Sequence, residues 1–440
     1  MPQSPIQSQF LLAAPSSGSG KTTVAMGLMY LLTQQQKKVQ AFKCGPDYID
    51  PLFHKIATNR PSINVDTFMA SEQHIRELHS QYASKAEVCI FEGMMGMFDG
   101  YDRSKGSSAE IARLLNIPVI LIIDAGSTAY SVAPLIRGFV NFDPKVNTIG
   151  VIFNRVGSEK HANMLKEACK DIGVECFGCI SRNNDLKLES RYLGLDISPI
   201  ENKSIIETWA NFIKEQINVE LLLNKTRCST AHYIPQPTPT KNLRIAVAKS
   251  HESFAFLYQK TLDRFNELGE IIFFNPETDQ QLPTGTDILY LPGGYPEKRI
   301  AELNHNTPLM KEIRDYIESG GNALAECGGM IYLSQGIYTE NGLEPMVGIL
   351  PFSISNRKES RKLSLGYRQF DYNGQHLCGH EFHYTQIYGE TGSLTSIANL
   401  YNAKREPVNT PVFRYKNAIA SYTHLYLGES DLLKLWEIVY

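Results

Sequence analysis

Short apolar runs alternate with helix-period stretches through the first half of the chain. The runs Phe10–Ala14, Val39–Cys44, Val88–Phe91, Val119–Asp124, Thr148–Phe153 and Cys176–Ile180 predict strands. The stretches Thr22–Thr33, Glu72–Gln81, Ser108–Leu115 and Lys160–Asp171 between them predict helices. Strands that are apolar at nearly every position, separated by helices, predict a parallel sheet covered on both faces.

The alternation stops at residues 224–241, which have no apolar period and carry Pro235, Pro237 and Pro239. Proline fixes φ and removes a donor, so this stretch is expected to be a semi-extended linker. The pattern then restarts with strands at Leu243–Ala248, Ile271–Phe274, Ile288–Leu291 and Ala323–Ala325. Helices are expected near Phe254–Leu268 and Pro308–Ser319, and strands again at Phe382–Ile387 and Ala418–Leu427 in a more antiparallel final third. The fold class is α/β: an N-terminal domain over residues 1–223, a linker over 224–241 and a second α/β domain over 242–440.

The segment Ala14-Pro-Ser-Ser-Gly-Ser-Gly-Lys-Thr-Thr23 sits between a predicted strand and a predicted helix. That is the context of a phosphate-binding loop, in which backbone N–H groups and a helix N-terminus face the phosphates. Gly18, Ser19, Gly20, Lys21, Thr22 and Thr23 form the nucleotide-binding set; Lys21 supplies charge and Thr22 offers a hydroxyl to magnesium. Pro15 stands where the usual pattern has glycine, so the loop must begin on a different backbone path.

Loops at the carboxyl ends of parallel strands converge on one crevice, so acids there are candidates for a magnesium nucleotide. Glu92 and Asp99 lie in FEGMMGMFDG, and Asp47 and Asp50 in CGPDYIDP. Thr22, Asp47 and Glu92 are the expected metal set. Asp124 suits bracing the sheet as well as touching ligand, and Asn154 is read as reaching the adenine edge from its strand end.

In the second half, Ala323-Leu-Ala-Glu-Cys-Gly-Gly-Met-Ile-Tyr-Leu333 has the form strand, tight turn, helix. Such an elbow lifts Cys327 out of the sheet, and the helix N-terminus beside it is expected to favour thiolate. The turn Leu291-Pro-Gly-Gly-Tyr-Pro-Glu297 follows a predicted strand, and its N–H groups at Gly293 and Gly294 can meet an oxyanion. His424, far along the chain, is the candidate base. GHEFHY falls one residue short of the zinc-protease spacing, so His380 and His383 are not read as metal ligands. On a strand, Glu381 and His383 share one face, lining a pocket or bracing the structure.

Composition narrows the classes. The net charge of -3 offers no electrostatic case for nucleic acid or an acidic membrane surface. The longest apolar run, Ile117–Ile123, is interrupted by Pro118 and far short of a bilayer span. Phe10–Ala14 leads straight into the glycine loop and reads as a buried strand rather than a signal peptide, so a cytoplasmic chain is expected. Eight cysteines are scattered along it, several inside apolar runs, which fits reduced thiols. Cys176-Phe-Gly-Cys179 has redox or zinc spacing, but no second pair completes a tetrahedral set.

In order along the chain, APSSGSGKTT, FKCGPDYIDP, FEGMMGMFDG, LPGGYPE, AECGGMIYL, GHEFHY and ASYTHLYLG resemble the cobyrinate a,c-diamide synthase family over essentially the whole length. That family's first half is similar to dethiobiotin synthetase, a P-loop NTPase fold, and its second half to the Cys-His class I glutamine amidotransferases. The resemblance implies a glutamine-hydrolysing carbon–nitrogen ligase with ATP and L-glutamine as substrates and Mg2+ as cofactor. The acceptor it implies is a corrinoid polycarboxylate, amidated at its a and c carboxylates; no nucleic acid or membrane partner is implied, and a homodimer is compatible. It implies Cys327 as nucleophile, His424 as base and Glu92 as metal ligand, with Asp47, Tyr48 and Asp99 acting around the carboxylate and its phosphorylated intermediate. Where many class I amidotransferases place a glutamate two residues after the histidine, this chain has Tyr426. Arg182, Lys187 and Arg191, or Arg357, Lys358, Arg361 and Lys362, could rim a site for a polyanion. Both intermediates are open to attack by water, so a sheltered ammonia path is expected. Hydrogenobyrinate, a nickel sirohydrochlorin or the substrates of cobyric acid synthase are alternative acceptors. An ATP-switch protein with an amidotransferase-like interaction domain is the reading from another class.

Overall fold

The apolar run that begins at Ile6 becomes the central strand of a sheet. In the computed structural model, which describes residues 6–183, 199–229, 233 and 241–437, the chain divides into two compact units, Met1–Pro235 and Gln236–Tyr440. The first holds strands β1 (Ile6–Ala13), β2 (Val39–Cys44), β3 (Ile63–Val65), β4 (Val88–Glu92), β5 (Val119–Asp124), β6 (Thr148–Val156) and β7 (Glu175–Ser181). Their spatial order is β3-β2-β4-β1-β5-β6-β7, and every neighbouring pair is parallel. The crossovers are α1 (Lys21–Gln34), α2 (Ile49–Thr58), α3 (Glu72–Ala83), α4 (Ser108–Leu115), α5 (Val132–Phe142) and α6 (Glu159–Asp171). Ser71, Ser107 and Ser158 start α3, α4 and α6 by accepting backbone N–H groups of the first turn. Because β1 and β4 are neighbours, the loops that follow them open side by side at the carboxyl ends of the strands.

Helices α7 (Pro199–Ile213) and α8 (Val219–Lys225) and strand β8 (Arg227–Ser229) complete the unit. The expected linker therefore begins too early: Asn224 and Lys225 end α8, and β8 pairs antiparallel with Ile6–Ser8 of β1. The cause is an open edge. β5 pairs β1 only from Leu11 onward, which leaves the start of β1 free to take another strand. Pro235, Pro237 and Pro239 lie outside the described residues. No helix among the described residues is long and apolar enough to cross a membrane.

The second unit runs β9 (Leu243–Ala248), α9 (Gln259–Leu268), β10 (Gly269–Phe274), β11 (Ile288–Leu291), α10 (Ile300–His305), α11 (Thr307–Glu318), β12 (Asn322–Glu326) and α12 (Gly328–Leu333). The strands β13 (Gly336–Thr339), β14 (Gly342–Pro345), β15 (Ser353–Ser355), β16 (Ser364–Tyr372), β17 (Gln375–His383) and β18 (Gln386–Tyr388) follow. The chain then ends through β19 (Leu400–Tyr401), β20 (Pro407–Val408), β21 (Val412–Tyr415), β22 (Ala418–Ser421) and β23 (His424–Leu425). The main sheet has the order β10-β9-β11-β12-β22-β21, parallel except for its last pair. Two smaller sheets, β14-β13-β15-β18 and β20-β19-β16-β17-β23, are built mostly of antiparallel pairs, with β13 and β15 parallel.

Three boundaries differ from the pattern. The strand expected over Phe382–Ile387 is broken after His383, so that its two parts belong to β17 and β18 in different sheets. The helix expected from Phe254 starts at Gln259, because Phe256 instead donates its N–H to Gly293 O at 3.0 Å and Phe254 is fully buried. The run Ala418–Leu427 is split between two sheets: β22 continues the main sheet beside β12, whereas β23 pairs β17. That switch carries His424 from one sheet to the other.

Candidate functional site

In the first unit the chemistry gathers where β1, β2 and β4 end. Gly20 takes a left-handed φ of 96° and caps α1, whose first residue is Lys21. The Lys21 ammonium donates to Met95 O at 2.6 Å, and Met97 N–H donates to Ala14 O at 2.8 Å, so the loops after β1 and β4 are tied together. Thr22 Oγ1 donates to Glu92 Oε1 at 2.6 Å and lies 3.5 Å from Asp50 Oδ2.

Lys43, on β2 and 2% exposed, is the hub of this site. Its ammonium pairs with Asp50, with Glu92 at 3.1 Å and with Asp47 at 3.6 Å. Burial alone would lower the Lys43 pKa, but these three carboxylates hold it well above the ordinary lysine range. Burial would likewise raise the Glu92 carboxyl; Lys43 and the hydrogen bonds from His54 and Thr22 outweigh it and keep Glu92 ionised. The other Glu92 oxygen meets His54 Nε2 at 2.6 Å, and His54 Nδ1 meets Ser62 Oγ at 3.0 Å. Asp50 is pushed up by burial and by the Asp47 and Glu92 charges. Lys21 is lowered by burial and by Lys43.

The carboxyl groups of Asp47, Asp50 and Glu92 thus surround one buried ammonium. Among the described residues no three acids, histidines or cysteines are grouped as a metal site, but the Thr22 hydroxyl and the Glu92 carboxylate, with Asp50 close by, are oxygen donors of the kind a hard cation such as magnesium takes. Of the expected metal set, Thr22 and Glu92 are in contact. Asp47 is occupied elsewhere: its Oδ1 accepts the N–H groups of Ile49 and Asp50 at 2.8 and 3.2 Å, starting α2. Asp99 Oδ2 accepts Gly96 N–H at 2.9 Å and shapes the loop after β4. Tyr48 is the residue that precedes α2. Asn154 braces the phosphate loop, with Nδ2 donating to Ser19 O at 3.0 Å and Oδ1 accepting Arg155 N–H at 2.9 Å. Asp124 pairs with Arg155 at the surface. Sequence reading passed over Lys43 and His54, although a lysine inside the apolar run of β2 is itself a signal of a buried ion pair.

In the second unit the elbow is present. Cys327 has φ 47° and ψ -101° between β12 and α12, a strained conformation of the kind stored at functional sites. Gly328 is required by close approach: a Cβ there would lie 2.8 Å from Gly294 N and 3.0 Å from Pro296 Cδ. The turn after β11 is therefore pressed against the elbow. Gly293 faces the His424 ring so closely that a Cβ would fall 2.6 Å from Nδ1 and nearer still to Cε1.

Electrostatics corrects one expectation. Burial, with the Glu297 charge next, pushes the Cys327 thiol well above its ordinary range, overriding the short helix beside it. Burial, then the charges of His380 and His383, lower His424 to about 3. Both shifts favour the uncharged forms of the thiol and the imidazole. Glu326, 2% exposed, accepts Tyr290 O–H at 2.8 Å and Leu425 N–H at 3.1 Å, and burial raises it to about 8. Burial raises Glu297 to about 7, and its Oε2 is buried without a hydrogen-bond partner.

His383 and Glu381 do share a face of β17. Glu381 Oε1 meets His383 Nε2 at 2.7 Å, Oε2 accepts Thr410 O–H at 2.7 Å and Arg368 pairs with the same carboxylate, while the His383 ring stacks on Tyr422. His380 pairs with His424 across β17 and β23. Of the basic rims, Arg182 donates to Gly126 O, Arg357 Nε to Thr339 O and Arg361 Nε to Asn356 O, each at 3.1 Å. Lys187 and Arg191 lie outside the described residues.

A family model described as a CobQ/CobB/MinD/ParA nucleotide binding domain matches residues 10–195, and one described as a CobB/CobQ-like glutamine amidotransferase domain matches residues 244–432. The chain is 37% identical to the cobyrinate a,c-diamide synthase of Caldanaerobacter subterraneus subsp. tengcongensis, with 95% of each chain covered. The chain belongs to the cobyrinate a,c-diamide synthase family. Within that family it is 36% identical to the enzyme of Picrophilus torridus, with 94% of each chain covered. It is also 35% identical to the hydrogenobyrinate a,c-diamide synthase of Stutzerimonas stutzeri, with 96% of each chain covered. The two matched domains fall one in each unit, on the sheets that carry the phosphate loop and the thiol elbow. Membership makes the chain a two-domain α/β ligase with a nucleotide-binding half and a glutamine amidotransferase half.

Proposed function

We propose that the chain amidates the a and c carboxylates of cobyrinate, with glutamine as nitrogen donor and ATP as the activating substrate. One observation carries the reading: a single chain holds both a thiol elbow packed against a Gly-Gly turn that abuts a histidine ring and a phosphate loop joined to buried acids.

Cys327 Sγ attacks the carboxamide carbon of glutamine. Because the resting pair is neutral, the thiol proton passes to His424 as the bond forms, and the imidazolium then gives it to the departing ammonia. Backbone N–H groups at Gly293 and Gly294 receive the oxyanion. Water next releases glutamate from the thioester, with His424 as base.

In the nucleotide half, Lys21 and the N–H groups of Gly18 to Thr22 hold the ATP phosphates, and Asp99 and Asn154 keep the two loops in shape. Thr22 and Glu92, with Asp50 close by, would hold Mg2+, which when bound neutralises phosphate charge and orients the γ-phosphoryl group. A corrinoid carboxylate takes that phosphoryl group, and ammonia displaces phosphate to leave the amide. Lys43 keeps Glu92 ionised for this task, and Asp47 and Tyr48, at the start of α2, act around the acceptor carboxylate.

Hydrogenobyrinate is the second acceptor to test, since similar relatives bear either name. Purified chain is given cobyrinate or hydrogenobyrinate with ATP, and ADP release is followed with glutamine or ammonium, alongside Cys327→Ala. The reading expects one corrinoid to stimulate release and the variant to lose glutamine use while keeping ammonium use. Release that neither corrinoid stimulates would overturn the acceptor assignment.

A further inference from the structure

The pair Cys176 and Cys179 takes no part in either site, yet the fold brings its thiols together. On an unbroken strand, residues three apart point to opposite faces. Here Cys176 pairs with Val151 and Cys179 with Phe153, two residues apart on β6, because the register of β7 shifts between them. The extra residue is Phe177, which turns inward and is 1% exposed. This bulge returns both cysteines to one face. Their sulfurs stand 3.9 Å apart, both partly exposed.

The bulge is fixed by its surroundings. Asn218 N–H donates to Phe177 O at 2.7 Å, and Cys179 N–H donates to Gln216 O at 3.2 Å. Residue 178 must be glycine, since a Cβ there would lie 2.9 Å from Ile217 Cα and nearer still to Gln216 O. A third thiol, Cys169 on α6, is 1% exposed and acts on the charge of Cys176. Cys169 and Cys179 draw the Cys176 thiol down against burial, which would raise it, and the Lys166 charge helps. Cys179 is raised by its bond to Cys176 and by burial. The 3.9 Å separation puts each sulfur within reach of the other, and the opposite directions of the two shifts single out Cys176 as the thiol that ionises first.

We propose that Cys176 and Cys179 form a thiol–disulfide exchange site for low-molecular-weight disulfides. Cys176 thiolate attacks one sulfur of the disulfide; that S–S bond breaks, and one thiolate leaves and takes a proton from water. Cys179 then gives its proton to solvent and attacks Cys176 Sγ, expelling the second thiolate. The chain ends oxidised by two electrons, having lost two hydrogens, and the small disulfide ends as two thiols. Cys179 pairs across the ladder with Phe153, on the same strand as Asn154.

The test uses the full chain, folded, with oxidised glutathione as probe, followed by alkylation and peptide mass mapping. The expected product is an intrachain Cys176–Cys179 disulfide that forms at least about tenfold faster than any modification of the buried Cys44 and Cys89. Cys179→Ser should stop at glutathione bound to Cys176, and Cys176→Ser should leave Cys179 unmodified on the same timescale. Equal alkylation of Cys176 and Cys179 with no linked peptide would overturn the proposal. So would a linked peptide that appears only when the chain is unfolded in urea.

Discussion

The carboxylate of Glu326 accepts the backbone N–H of Leu425 at 3.1 Å, so the residue before Cys327 holds the residue after His424. The candidate nucleophile and base come from different sheets, and this buried bond, with Tyr290 on the second oxygen, fixes one strand end to the other. Glu326→Ala leaves two buried donors unsatisfied, which costs about 1–3 kcal/mol each. Glutamine-dependent amide formation should fall by about tenfold or more, while ammonium-dependent formation stays near the parent rate. Equal loss with both nitrogen donors would contradict this assignment.

Gly293→Ala should act on the same pair by steric means. The new methyl group would enter the His424 ring, so the ring must rotate. Misplacement of that size costs about 100-fold in rate. Steady-state assays with glutamine and with ammonium should separate it from misfolding, because only the first should drop.

Lys43→Met should destabilise the first unit. It removes the ammonium shared by Asp50, Glu92 and Asp47 inside a buried site. Breaking a buried pair from one side costs about 3–5 kcal/mol. Denaturant unfolding should report that loss, and Lys43→Arg should recover part of it.

Thr22→Val keeps the shape of the phosphate loop and removes the hydroxyl that meets Glu92 at 2.6 Å. ADP release should fall by about 100-fold, and glutamine hydrolysis measured without acceptor should be unaltered. A matched fall in both would show that the threonine supports folding rather than phosphoryl transfer.

The second unit should lose stability as pH rises. Burial lifts Glu297 to about 7 and Glu326 to about 8 from an ordinary 4.5. For an acid raised in the folded state, the contribution is complete below the unfolded value and disappears as pH climbs through the folded one. Buried His424, lowered from 6.5 to about 3, pulls the other way until the pH reaches its ordinary value. Thermal midpoints should therefore decline weakly from pH 4.5 and most clearly between 6.5 and about 8, and Glu297→Gln and Glu326→Gln should each flatten the decline by a few degrees. A midpoint that climbs across that window would reverse the sign of the claim.

Much was legible without coordinates because it depends on local order. A buried parallel strand needs apolar residues at nearly every position, and β2, β5, β9 and β11 lie where the runs do. The elbow at Cys327 and the loop at Gly18 to Thr23 were legible for a similar reason, since a sharp turn between strand and helix admits few residues. The role of Lys43 was not: its place in an apolar run signals a buried ion pair, but the acids that make it a hub arrive from β4 and α2.

What the sequence determined by itself is the set of local conformations and the residue types available for chemistry. Only the tertiary structure decided which of them meet and in what charge state. Arg227–Ser229 became a strand because the start of β1 was open, and Cys176 and Cys179 share a face because one residue bulges. Cys327 rests as a thiol because burial outweighs a short helix. Those outcomes depend on desolvation and on contacts between residues distant in the chain, and neither quantity exists until the chain has folded.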